Sequence, residues 1–228
     1  MKSTYFNITS IIALVIGVIT FSGCLNSNGN KISSQVRFGM QVDDFDSTLV
    51  SGNNDSLFID RMRFVYGDGS VVIDQDTNSV VPTPTDWLQF GLNQNSGNPI
   101  AMFSASSGTF SNFVLSVQKA PTNNSNIDAD FTDSTTQYSM IIEGKYNGSD
   151  FSYKMDRSFK ASLEITPPVQ VPQYNAAYTF LIHTSPRLWF TNHQGGFYNP
   201  KTADDTTNIN GNIENSFSIE TINNSGSL

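Results

Sequence analysis

Cys24 is the only cysteine in this 228-residue chain, so no intrachain disulfide is available and its thiol is free for other chemistry. It directly follows an apolar run, Ile11–Phe21, and the small residues Ser22 and Gly23. Two histidines, His183 and His193, are the only imidazoles. His183 falls at the opposite parity to Tyr178, Phe180 and Ile182 and reads as an outward strand residue; His193 reads as a loop residue. Three acidic groups carry alternating oxygens: Asp43/Asp44/Asp46, Asp74-x-Asp76-x-Asn78 and Asp128-x-Asp130-x-Thr132. Such spacing can wrap a hard cation, but calcium loops also need a glycine at position six and a closing glutamate. Ser79 and Thr85 stand at those positions in the second group, and Asp133 at position six in the third. Solvated turns are therefore the expectation, and no metal or other cofactor is expected. A metal-binding envelope protein is kept as an alternative.

The first 23 residues resemble a bacterial lipoprotein signal with its lipobox. Lys2 supplies the positive start. The run Ile11–Phe21 fits the roughly 7–15 residues of a signal core and is too short for the ~20 of a membrane span. Phe21 stands where leucine is commoner in that motif. The resemblance implies cleavage before Cys24 and palmitate or similar acyl chains on its sulfur and amino group. Partner one is then a lipid bilayer. The expected location is the cell envelope, anchored to the outer membrane, with the periplasmic and surface faces both open.

No Gly-x-Ser-x-Gly elbow, His-Glu-x-x-His pair, phosphate loop or dinucleotide fingerprint occurs. The expectation is a non-enzymatic protein. Net charge is −8, with 12 basic and 20 acidic residues. Nucleic acid is thereby excluded as a partner, since phosphate contacts need basic patches. The better ligand cue is aromatic. Trp87, Trp189, Phe190, Phe197 and Tyr198 lie in or beside predicted loops and offer flat faces to a glycan or an envelope protein. Trp189–Tyr198 is the foremost of these segments, and a carbohydrate-binding surface lipoprotein is the alternative it suggests.

The elements that must position these residues are strands. Phenylalanine contributes 17 residues, while charged residues are only 14%, a balance that favours strand over helix. Period-two alternation recurs. It runs through Val36, Phe38, Met40 and Val42; then Phe58, Met62, Phe64 and Tyr66; then Leu88, Phe90 and Leu92; then Phe113, Leu115 and Val117. Gly67–Ser70 is read as a turn returning the chain through Val71–Ile73 as a hairpin. Asn147-Gly148 is the strongest hairpin signal. It follows Tyr138, Met140, Ile142 and Tyr146 and precedes the odd-numbered series Phe151 to Ile165, which Pro167 and Pro168 are expected to end. Tyr178, Phe180 and Ile182 form a further strand. The reading is all-β: an antiparallel sandwich, immunoglobulin-like in general architecture, of about nine or ten strands. Residues 1–23 form the signal, 24–34 a lipidated flexible tether, 35–220 one domain and 221–228 a disordered tail.

Tyr146–Phe151, Leu163–Pro168, Tyr178–Thr184, Trp189-Phe190, Asn199-Pro200 and Ile213–Phe217 together resemble uncharacterised β-sandwich lipoproteins of Bacteroidetes-like bacteria. The resemblance covers roughly the C-terminal half and brings no catalytic residue with it. Lipoproteins of that kind often carry an acidic export signal after the cysteine; here Leu25–Asn30 contains no acid.

Overall fold

The computed structural model describes residues 32–44, 48–67, 69–73, 76–80, 85–91, 98–105 and 107–222. The signal, Cys24 and most of the tether lie outside the described residues. So do Asp46, Asp74 and Leu92, and for Asp76 and Asn78 only the backbone is described.

The fold is all-β, built as two packed sheets. Its strands are β1 (Gln35–Val42), β2 (Leu49–Val50), β3 (Ser56–Tyr66), β4 (Ser70–Ile73), β5 (Asp76–Val80), β6 (Asp86–Gly91) and β7 (Asn98–Ser104), then β8 (Gly108–Val117), β9 (Met140–Tyr146), β10 (Ser149–Met155), β11 (Phe159–Val171), β12 (Ala177–Thr184) and β13 (Ser218–Ile222). Two short helices, α1 (Pro186–Phe190) and α2 (Thr206–Glu214), lie between β12 and β13. The smaller sheet has the order β13-β12-β1-β7. The larger has nine strands, β10-β9-β3-β8-β4-β5, with β11 on β8 and both β2 and β6 on β3. Pairing is antiparallel except for β1 with β12, which run parallel through eight register pairs from Gln35↔Ala177 to Val42↔Thr184.

The alternating residues form the core. Val36, Phe38, Met40 and Val42 are at most 1% exposed. Phe38 stacks on Phe113 of the opposite sheet at 4.1 Å and on Phe180 at 5.1 Å. Each such ring contributes roughly 1.5–3 kcal/mol of burial. Phe151, Tyr153, Met155, Phe159, Ala161, Leu163 and Ile165 of the odd-numbered series are all buried, and only Arg157 between them is not. At the β9–β10 turn Asn147 and Gly148 both take positive φ, +50° and +75°, as the expected two-residue hairpin turn requires.

The structure departs from the sequence reading in several places. A bulge between Ile59 and Arg61 reverses the facing of β3. Leu57 and Ile59 point inward before it, Met62, Phe64 and Tyr66 after it, and Phe58 stays half-buried. The expected hairpin after Gly67 does not form: β4 pairs with β8 and β5 rather than β3. Pro167 and Pro168 do not end β11, because they sit in a register shift between Glu164 and Val169 where no ladder bond needs their nitrogen. Finally, the polar stretch Thr206–Glu214 is helical, and β13 runs to Ile222, beyond the expected boundary at 220. Ser33 bridges to Tyr174 and Ser34 is fully buried, so the expected tether joins the fold at its last two residues.

The bulge also gives β3 two apolar faces. Val65 and Ile141 point away from the main core and meet Ala120, Ile127 and Phe131 of the 118–139 excursion, with Trp87 and Tyr138 at the margin. Arg63, 1% exposed, fastens that excursion. Its Nη1 donates to Asp128 at 2.6 Å and Asp130 at 2.8 Å, and its Nη2 reaches Glu143 at 3.3 Å. Burial works against the guanidinium charge, but the bonds to Asp130 and Asp128 outweigh it and raise the Arg63 pKa.

Candidate functional site

Three turns meet at one end of the sandwich. Ser51–Asp55 joins β2 to β3, Asn147-Gly148 joins β9 to β10, and residues 191–205 join α1 to α2. The contacts between them are specific. Gly52 N donates to Gly195 O at 3.0 Å. Asn147 Nδ2 donates to Asp55 Oδ1 at 3.0 Å, and Ser56 N to Asn147 Oδ1 at 2.8 Å. Burial first, then the charge of Asp55 and more weakly that of Asp205, raise the Tyr146 phenol.

The 191–198 segment is shaped by Asn192. Its Oδ1 accepts from Gln194 N and Gly196 N, both at 2.9 Å. Gly195 takes φ +78°, a left-handed conformation that side chains disfavour. A Cβ on Gly196 would lie 2.9 Å from Asn53 Nδ2 and 3.0 Å from Asn192 Nδ2. Tyr198 N returns to Phe190 O at 2.7 Å, and Thr191 bridges to Phe197. Asp205 is fixed through Oδ2, which accepts from Asn199 N at 2.8 Å and Thr202 Oγ1 at 3.1 Å. Between these groups lies an open pocket of about 250 Å³, lined by Asn192, His193, Gln194, Phe197, Tyr198 and Asp205. A second hollow of about 360 Å³, with Ser56, Phe58, Asp60, Lys145 and Gly148 in its wall, sits beside the Asn147-Gly148 turn.

Of the aromatic candidates, the structure brings only Phe197 and Tyr198 to a pocket. Trp189 and Phe190 are fully buried. Trp189 Nε1 donates to Thr184 Oγ1 at 2.7 Å and Ser216 Oγ at 3.0 Å. Phe190 meets Phe151 and Tyr153 edge-on. Their rings support the loop end from beneath and have no face left for a ligand. The reason is α1: one helical turn after Ser185 rotates both rings inward, where the sequence reads as loop. Trp87 is half-buried against Phe131, with its Nε1 bonded to Asn126 O at 2.9 Å, away from the three turns. Asn192, Gln194 and Asp205 went unmarked in the sequence because lone amides and acids in a polar loop carry no spacing signal.

The other polar candidates are used internally. Asp128 and Asp130 do hold a cation, the Arg63 guanidinium. His183 lies between Asp43 at 3.2 Å and Glu220 at 3.0 Å, linking the end of β1 to β13 across β12. Asp44 takes a hydrogen bond from Ser185 Oγ. Among the described residues, no three histidine, cysteine or acidic side chains are grouped to hold a metal ion.

No protein-family model, no curated protein and no solved structure matches this chain.

Proposed function

We propose that this chain is a lipid-anchored protein of a bacterial cell envelope that binds its partner non-enzymatically through the three-turn end of the sandwich. Cys24 after its apolar run carries the anchor. The binding role is supported chiefly by the polarity of the fold. The chain enters at Ser33 and Ser34, beside Gln173–Ala176 and Ala105. β1 then runs towards Thr184 and α1, so the turns that follow α1 lie at the other end of that sheet. A protein held at its entry point would present those turns outward. Their mutual hydrogen bonds hold them in one arrangement before any partner arrives, which reduces the ordering cost of binding.

Two measurements test the reading. Metabolic palmitate labelling is expected for the native chain and lost in Cys24→Ser; persistent labelling of Cys24→Ser would overturn the anchor. Photo-crosslinkers introduced in cells at Asn53 and His193 should give specific adducts that one at Gln173, on the entry side, does not. Adducts from Gln173 alone would reverse the assignment.

A further inference from the structure

The geometry points to a neutral sugar residue as the ligand of the pocket formed by Asn192, His193, Gln194, Phe197, Tyr198 and Asp205. This inference rests on the reading that the three-turn end is the binding surface, and it names the ligand class. The pocket, about 250 Å³, lies below the roughly 300–1,000 Å³ of sites for drug-sized ligands. It suits one ring of a larger chain, with an open side for the rest.

The lining has the chemistry a sugar requires. Each hydroxyl both donates and accepts. The Gln194 amide supplies donors and an acceptor, Asn192 its Nδ2 donors since its Oδ1 already takes two backbone bonds, Asp205 its second carboxylate oxygen as acceptor, and the His193 ring can serve as either. The half-buried Tyr198 gives an apolar wall for the C–H face of the ring, backed by Phe197, which is only 6% exposed. The polar groups are set in advance, since Asn192 is held by two backbone amides and Asp205 by Asn199 and Thr202. Charge selects among sugars. Asp205 lines the pocket, Asp55 lies across at the neighbouring turn, and their field reaches Tyr146. The lining contains no lysine or arginine. A uronic acid or phosphorylated sugar would meet repulsion without a partner, whereas a neutral hexose or N-acetylhexosamine would not.

The test uses the full-length chain in detergent, titrated with oligosaccharides of neutral hexoses, N-acetylhexosamines and deoxyhexoses, and with matched uronic-acid oligosaccharides. Binding by a neutral oligosaccharide is expected, with the uronate at least about tenfold weaker, the equivalent of one charge-related contact. Gln194→Ala and His193→Ala, both at exposed positions, should each weaken it by several-fold with unchanged melting. Asp205→Asn should narrow the gap between neutral and uronate ligands. Absence of binding across the neutral panel overturns the sugar assignment. So does binding unaffected by both loop variants, or equal affinity for uronates. If the panel fails while crosslinks from Asn53 and His193 persist, the ligand class is refuted and the binding end stands; if both fail, the parent reading falls too.

The pairing of β1 with β12 carries a second inference, which rests on the proposed anchor and binding end: we infer that this pair is a clamp against tension between the lipid anchor and a bound partner. Tension would enter at the start of β1 and leave through the end of β12, which leads directly into α1 and the turn of residues 191–205. The two strands run parallel over eight register pairs without a shift. Force applied at those opposite ends loads the ladder in shear, so its bonds resist together. β7 adds antiparallel pairs on the other side of β1. Single-molecule pulling of the full chain tests this. In a Cys24→Ser chain, handles at Asn26→Cys and His193→Cys should give a higher rupture force than handles at Asn26→Cys and Gln173→Cys, which unzip the pair from one end. Equal forces, or a lower force for the first pair, would overturn it.

Discussion

Replacing Arg63 with methionine should destabilise the fold by about 3 kcal/mol, and the size of that loss follows from its surroundings. The guanidinium is 1% exposed and its partners Asp128, Asp130 and Glu143 are 27%, 60% and 28% exposed. Breaking a buried ion pair costs roughly 3–5 kcal/mol because an uncompensated charge stays behind. Here the charges left behind are partly in water and can rehydrate, so the low end applies. Methionine keeps the length of the apolar stem and removes the guanidinium together with its contact over the Phe131 ring, 5.9 Å from the ring centroid. At roughly 2–4 °C per kcal/mol for a domain of this size, the melting midpoint should fall by about 6–12 °C. Differential scanning calorimetry of the chain from residue 25 onward reads this directly. The reasoning also predicts rescue. Arg63→Met combined with Asp128→Asn and Asp130→Asn should recover more than half of the loss, because Glu143 keeps its ion pair with Arg61 and no orphan charge remains. A single variant melting within about 2 °C of wild type would refute the argument, as would a combined variant less stable than the single one.

The same carboxylates give the pH dependence a sign. Burial alone would raise the Asp128 pKa, but the Asp130 amide and Arg63 outweigh it and bring it below 3.8; the Tyr138 hydroxyl, with the Thr135 and Thr136 amides, holds Asp133 at about 2. Depressed carboxylate pKa values stabilise the fold above the unfolded value and lose that stabilisation as pH falls. Stability from these groups should be constant from neutrality to about pH 5 and decline between 3.8 and about 2; a melting midpoint that rises across that interval would contradict it. Gly144→Ala should be severely disruptive, since its Cβ would sit 2.0 Å from Phe58 O at the β3 bulge. The expected cost is at or above the top of the roughly 1–3 kcal/mol of overpacking, measured by urea denaturation. Trp189→Ala should cost about 3–5 kcal/mol and reduce partner binding only in proportion to unfolding. A fully folded Trp189→Ala protein that cannot bind would mean the indole touches the ligand.

Much of the fold is legible because most strands bury one face and expose the other. Val36 to Val42, Phe113 to Val117, Phe151 to Met155 and Phe159 to Ile165 each contribute every second residue to the core, and Asn147-Gly148 fixes its hairpin through local backbone preference alone. Legibility fails where a residue's facing depends on a distant partner. Arg63 lies on a strand whose second face is covered by a loop 65 residues away, and no local pattern announces that cover. Phe58 shares parity with Met62 in the sequence, but the bulge before Arg61 turns it to the outer hollow instead. Trp189 and Phe190 show the same limit at the site. A five-residue helix is too short to display a periodic stripe, so two core rings resemble exposed ones. The residues that do line the pocket, Asn192, Gln194 and Asp205, are small polar groups whose meaning comes only from convergence. The aromatic segment therefore leads to the proposed binding end for an indirect reason: its tryptophan and first phenylalanine are buried beneath that end, and the polar residues after them line the pocket.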